Sequence, residues 1–252
     1  MTERQLRITL EYDGARFAGW QVQPGQRTVQ SEVEAALATL LRHDVRVLVA
    51  GRTDAGVHAR AQVCTVRTGS SIDPEILRRG LDGLMPRDIA ALEVVEVPLG
   101  FHPRFDACAK HYRYRLLQRD ARPVLLRNRC WHLRRDLDLT AMGEALAAVV
   151  GEHDFSSFRA SGCASRNPVK RILSADITCR PPLVDIDVIG SGFLKQMVRI
   201  LVGTVVEVGQ GRRSADELPE ILASRDRTRA GRTAPAGGLT LIEVRYRDQG
   251  GG

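Results

Sequence analysis

The order in which hydrophobic periodicity switches along the first hundred residues leaves few folds open to this chain. Leu6, Ile8, Leu10 and Tyr12 alternate with polar residues, the period-two signature of a half-buried strand, until Asp13-Gly14 breaks the pattern with a turn. Val29, Val33, Leu37, Leu40 and Leu41 then recur at helical spacing, with Glu32 and Glu34 near the positive end of the helix dipole. Residues 45–49 and 61–68 read as strands on either side of a polar, glycine-bearing loop at 51–60. Asp73-Pro74 supplies an N-cap and a proline at the first helical position, predicting a short helix to Leu84, and a strand over 89–97 closes the set.

Strand, helix, strand, strand, helix, strand is the ferredoxin-like split βαβ order, an α+β arrangement whose mostly antiparallel sheet carries helices on one face and leaves the other for a ligand. The second half follows the same order without residue-level duplication: a strand at 107–118, a helix at 139–150 stopped by Gly151, and strands at 170–179 and 183–189. Helices at 194–208 and 215–223 come next, the latter opened by a capping box from Ser214 to Glu217, before a last strand at 239–246. Two ferredoxin-like halves are therefore expected, residues 1–103 and 104–252, with the boundary near Gly100 to Arg104. The insertions at 119–137 and 155–171, rich in arginine and short polar residues, read as loops, either substrate-contacting or merely solvated.

Charge is unevenly shared between those halves. The net charge is +7, yet residues 1–105 contain 13 Lys+Arg against 13 Asp+Glu, whereas residues 106–252 contain 24 against 17. The excess is mostly arginine, which can grip phosphate oxygens in pairs and stack on unpaired bases, so a polyanionic partner is favoured over a habit of composition. No stretch is long and apolar enough to span a bilayer, and Met1 to Arg7 carries no apolar run, so a cytosolic protein without a membrane or targeting segment is expected. Cys64, Cys108, Cys130, Cys163 and Cys179 lie far apart with no zinc-ligand spacing; they read as buried thiols, and no metal is expected.

The stretch from Gly51 to Ala59, Gly-Arg-Thr-Asp-Ala-Gly-Val-His-Ala, is the most informative for chemistry. Glycines on both sides would hold the Asp54 carboxylate at a loop tip, although a loop aspartate more commonly bonds its own backbone in a turn. His58 invites an Asp-His pair with Asp54. In a loop the helical i,i+4 spacing has no force, and a structural hydrogen bond is the better reading. Trp20 and Gln21 read as local packing and loop support.

That loop occurs in order with Tyr12-Asp13-Gly14, Phe17 to Gln21, Phe101 to Ala107, Tyr112-Arg113-Tyr114, His153-Asp154-Phe155, Gly192 to Arg199, and the closing run Thr233 to Leu239. Together these segments, spanning nearly the whole chain, resemble the tRNA pseudouridine synthase A family. The resemblance implies a cofactor-free isomerisation of uridine to pseudouridine in tRNA, at positions 38, 39 and 40 of the anticodon arm, by a homodimer. It also implies that Asp54 is the catalytic nucleophile and that Arg52, Tyr112 and Arg199 share the active site. A guanidinium beside a carboxylate favours its charged form, which suits Arg199, while Arg52 suits holding an extruded nucleotide and Tyr112 stacking on the uracil. The expected site is a cleft between the halves. Tyr114, two residues along the strand from Tyr112, reads as core. A synthase for other RNA positions, a noncatalytic RNA-binding protein or tRNA chaperone, and a metal-dependent hydrolase using Asp54 and His58 are the rival readings.

Overall fold

The computed structural model describes residues 3–247, a mixed α/β chain with five α-helices among the described residues and predominantly antiparallel strand pairing. Its chain divides into two compact units, one holding the described residues up to Cys108 together with those from Leu241 onward, the other holding Ala109–Thr240.

In the first unit the elements are β1 (Arg4–Tyr12), α1 (Val29–Leu41), β2 (Leu48–Val49), β3 (His58–Thr68), α2 (Pro74–Leu84) and β4 (Ile89–Val97). β1 lies between β4 and β3, antiparallel to both, and β2 pairs antiparallel with β3. A strand β10 (Leu239–Tyr246), most of which belongs to this unit, lies beside β3. The period-two pattern explains β1: Leu6, Ile8 and Leu10 are fully buried, as are Val33 and Leu37 of α1 and Leu77 and Leu81 of α2. Each such side chain contributes about 1.5–3 kcal/mol of burial. Gly80 of α2 leaves room for the Leu40 side chain of α1, which would stand 2.8 Å from any Cβ there. α2 starts where its sequence signals placed it, with Asp73 Oδ1 accepting from the amides of Glu75 (2.9 Å) and Ile76 (3.2 Å).

The second unit contains β5 (Ala107–Gln118), β6 (Trp131–Leu133), α3 (Leu139–Ala147), β7 (Gly151–Asp154), β8 (Val169–Arg180), β9 (Leu183–Gly190), α4 (Met197–Gly209) and α5 (Glu217–Ser224). Its strands run β5-β9-β8-β7 with antiparallel neighbours, and β6 lies parallel beside β5. The two faces of the β5–β9 pair differ sharply. Tyr112, Tyr114 and Leu116 on β5 and Val184, Ile186 and Val188 on β9 are buried. On the opposite face Arg115 forks onto Asp185 (both 2.8 Å), Arg113 forks onto Asp187 (2.9 and 3.1 Å), and His111 Nε2 lies 2.5 Å from Asp187. Cross-strand ion pairs of this kind fix the register of β5. α4 is apolar around nearly its whole circumference and correspondingly buried, including Thr204.

Several expectations need correcting. Residues 45–49 form only the two-residue β2. α3 ends at Ala147, short of Val150, and Gly151 (φ +111) opens strand β7 instead of merely stopping a helix. α4 starts at Met197, after Gln196 in the left-handed region (φ +60), which interrupts the helical path expected from Leu194. α5 starts at Glu217, although Glu217 Oε1 does accept from the Ser214 amide at 2.8 Å as the capping signal implied. The 119–137 insertion contains β6, and the 155–171 insertion begins with Phe155, Ser157 and Phe158 in the core, where Ser157 Oγ donates to Ile221 O at 2.6 Å. Of the cysteines only Cys64 is buried; Cys108 and Cys179, at the ends of β5 and β8, are exposed, and Cys130 and Cys163 are half-buried.

Candidate active site

The Asp54 loop leaves the region of β2 and enters β3, and its shape is dictated by a second segment, residues 12–20, that packs against it. Val57 N donates to Asp54 O at 3.1 Å, and Gly56 takes a positive φ of 79°, so residues 54–57 form a tight turn. The closing bond of that turn is made to the main-chain oxygen of Asp54. Trp20 N donates to Thr53 O at 3.0 Å and Gly56 N to Phe17 O at 3.3 Å, tying both ends of the loop to the Phe-Ala-Gly-Trp-Gln segment. Two glycines permit that contact: a Cβ on Gly14 would stand 1.9 Å from Val57 O, and one on Gly19 (φ +100) 2.8 Å from Thr53 O. The 12–20 segment is itself braced by Arg27, whose guanidinium lies 4.3 Å over the Phe17 ring and forks onto Asp88 at 2.8 and 2.9 Å.

Along this loop Arg52 is exposed, Thr53 buried and Asp54 half-buried. Thr53 Oγ1 lies 2.8 Å from the Tyr12 hydroxyl inside the protein. Burial pushes the Tyr12 phenol up to about 12, against the opposing effect of its hydrogen bonds to Thr53 and Gln62, so it remains a neutral hydroxyl. His58 is buried, with Nδ1 3.0 Å from Asp13 Oδ1 and 3.1 Å from Gly14 N. One nitrogen cannot donate to the first and accept from the second; the carboxylate is the stronger partner, and either tautomer ties β3 to the Asp13-Gly14 turn. Trp20 is buried against Tyr12, ring centroids 6.1 Å apart, and acts as packing.

Tyr112 and Arg199 belong to the second unit. Tyr112 is buried on β5 and meets the Phe193 ring edge-on, centroids 5.1 Å apart. Tyr114 is wholly buried; its hydroxyl donates to Pro235 O at 2.7 Å and burial drives its phenol far up. Arg199 sits in the first turn of α4, half-buried, with Nε donating to Ala234 O at 2.8 Å. The 231–234 strand of chain that aims it is sewn along α4: Ala234 N donates to Arg199 O (3.0 Å), Gly231 N to Thr204 Oγ1 (2.9 Å) and Arg232 N to Glu207 Oε1 (3.2 Å). Gly203 makes that approach possible, since a Cβ there would lie 1.7 Å from Arg232 O. Arg232 in turn stacks over Trp131 at 4.6 Å.

Of the expected site residues, then, Arg52 and Asp54 share one loop of the first unit, and Tyr112 and Arg199 stand on β5 and α4 of the second. Sequence reasoning passed over Gln62 as a supporting residue. Its only signal was an amide at a position of β3 opposite Leu10, where the strand pattern calls for an apolar side chain. Among the described residues no cluster of His, Cys, Asp and Glu could hold a metal ion, and no helix is long and apolar enough to cross a membrane.

Comparison with known proteins bears on what this arrangement does. A family model described as tRNA pseudouridine synthase matches residues 8–106 and 145–247. The chain is 50% identical to tRNA pseudouridine synthase A of Geobacter sp. (strain M21), covering 96% of this chain and 99% of that protein. It is 49% identical to the protein of that name from Citrifermentans bemidjiense, over 98% and 99%. With its namesake in Moorella thermoacetica it shares 47% identity, over 96% and 99%. A solved Cbf5-Nop10-Gar1 complex overlays with a TM-score of 0.36 at 10% identity, covering 95% of this chain and 59% of that one, too distant a likeness to bear on the fold.

Proposed function

This chain belongs to the tRNA pseudouridine synthase family, and from that premise we propose that Asp54 is its catalytic nucleophile. The family's enzymes isomerise uridine to pseudouridine in tRNA. The bond between ribose and uracil N1 breaks, the base turns, and a new bond forms from the same sugar carbon to uracil C5, whose proton leaves to solvent while N1 gains one. Nothing is oxidised and no group enters from outside.

What supports Asp54 is its place in the loop: it starts the tight 54–57 turn that Val57 N closes on its main-chain oxygen, and it stands half-buried beside the exposed Arg52. A nucleophilic carboxylate must stay ionised, and Arg199, held by Ala234, is the guanidinium assigned to favour that form. Arg52, exposed beside Asp54, is assigned to hold the target nucleotide extruded, since a stacked base cannot be reached. Tyr112 is assigned to stack on the extruded uracil, its ring fixed by Phe193. We further read both units as split βαβ folds, the enzyme as a cytoplasmic homodimer, and its substrates as uridines 38, 39 and 40 of the anticodon arm. Arginine-rich second-half residues then bind phosphates, and shape recognition of the folded RNA selects the arm.

Incubating unmodified tRNA with the purified chain and mapping pseudouridine by sequencing tests this reading. Pseudouridine at 38, 39 and 40 with wild type, and at none of them with Asp54→Asn, is expected. Modification elsewhere would refute the positional assignment, and undiminished modification by Asp54→Asn the nucleophile.

A further inference from the structure

Three polar side chains buried behind the Asp54 loop form a continuous hydrogen-bonded chain. Gln62 is fully buried on β3 and Tyr12 nearly so at the end of β1, while Thr53 precedes Asp54 in sequence. Gln62 Oε1 accepts from Val63 N at 3.2 Å, which leaves Nε2 to donate to Gly51 O at 2.8 Å and to the Tyr12 oxygen at 3.3 Å. The Tyr12 oxygen that accepts from this amide also shares a hydrogen bond with Thr53 Oγ1 at 2.8 Å. The chain thus grips the loop on both sides of Arg52, through the Gly51 carbonyl and the Thr53 hydroxyl, and no member of it is exposed to water.

We propose that Tyr12, Thr53 and Gln62 are positioning residues for catalysis: this chain sets where the Asp54 carboxylate stands, and so governs the rate of the chemical step without contributing to tRNA binding. The inference rests on Asp54 being the nucleophile. Buried polar groups in a strand interior cost stability unless fully paired, so hydrogen-bonding this set to the one loop that carries the nucleophile is accounted for by positioning and not by packing, which Phe at residue 12 would serve as well. The Tyr12 phenol keeps its proton throughout the working pH range, burial having pushed it up to about 12, so its bond to Thr53 persists.

Tyr12→Phe and Thr53→Val each delete one hydroxyl while keeping shape. Single-turnover tritium release from tRNA labelled at uridine C5, at saturating enzyme and at a temperature where circular dichroism shows each variant folded, is expected to slow about 10- to 100-fold, since a displacement near 1 Å costs that much. The tRNA dissociation constant is expected to stay within about twofold. The double variant should lose no more than the worse single one, because both break one chain, and Thr53→Ser should recover most of what Thr53→Val loses. Rates within twofold of wild type in both singles, losses that multiply in the double variant, or losses carried by tRNA affinity would overturn the proposal. If Tyr12→Phe does not fold, Thr53→Val against Thr53→Ser decides it. Asp54→Asn is the control: activity surviving there removes the nucleophile assignment and this inference with it, whereas an inactive Asp54→Asn beside fully active Tyr12→Phe and Thr53→Val sinks the inference alone.

Discussion

Gly14→Ala offers a way to move the Asp54 loop without substituting any of its residues. The new Cβ would stand 1.9 Å from Val57 O and 2.5 Å from its carbonyl carbon, where real Cβ atoms do not come within 3.0 Å. Backbone, not a flexible side-chain end, lies in the way, so the 14–16 turn and residue 57 must separate by about 1 Å, and Val57 is the residue whose amide closes the turn on Asp54 O. Overpacking of this kind costs about 1–3 kcal/mol, which for a chain this long lowers the melting temperature by roughly 2–12 °C. A shift near 1 Å at the proposed nucleophile, Asp54, costs on the order of 100-fold in rate. Single-turnover tritium release, measured well below the melting temperature alongside tRNA affinity, is therefore expected to fall by that order with affinity little changed. Gly83→Ala is the matched control, since nothing lies within 4 Å of its Cβ in α2; it should gain up to about 1 kcal/mol and keep full activity. Full activity and an unchanged melting temperature in Gly14→Ala would refute the claim that residues 12–20 shape the Asp54 loop.

Three other substitutions probe the rest of the framework. Gly203→Ala puts a Cβ 1.7 Å from Arg232 O and should displace the segment that holds Arg199, lowering the melting temperature and slowing tritium release at least 10-fold; a fully active, stable variant would count against that clamp. Asp187→Asn removes the charge that His111 and Arg113 share and should cost about 1–3 kcal/mol in urea denaturation, an unchanged midpoint being the contrary result. Tyr12 has a folded pKa raised from 10.0 to about 12, so its contribution to stability is complete below pH 10 and is lost as pH rises from 10 to 12, by about 2–3 kcal/mol. Tyr12→Phe should flatten that part of the stability-pH curve, with the decline due to Tyr114 and Tyr246 remaining, and a curve of unaltered slope would contradict it.

Periodicity made most of the framework legible. β1, β4, β5, α1 and α2 fall where alternation, helical spacing and the Asp73-Pro74 cap put them, whereas β3 starts at His58, three residues before the expected Ala61, and is buried without a break over 62–66. It failed where local geometry decides: Gln196 in the left-handed region delays α4, Gly151 turns a helix end into a strand start, and β6 is too short to show any period. The site divides in the same way. The Asp54 loop stood out through its motif, but nothing in a sequence shows that Gln62 reaches Tyr12 and Gly51 while Tyr12 reaches Thr53, since these side chains meet only once β1 and β3 pair. Gly203 reads as an unfavourable residue in an apolar helix until the Arg232 carbonyl is seen resting on it.

The account depends first on the carboxylate at residue 54 attacking the target nucleoside. Asp54→Asn keeps the side chain's size and hydrogen-bonding span while removing its charge, so release of tritium from C5-labelled uridine in tRNA separates chemistry from binding. No release above background over many wild-type half-lives, with tRNA affinity within about twofold of wild type, is the predicted result. Release at the wild-type rate would contradict it.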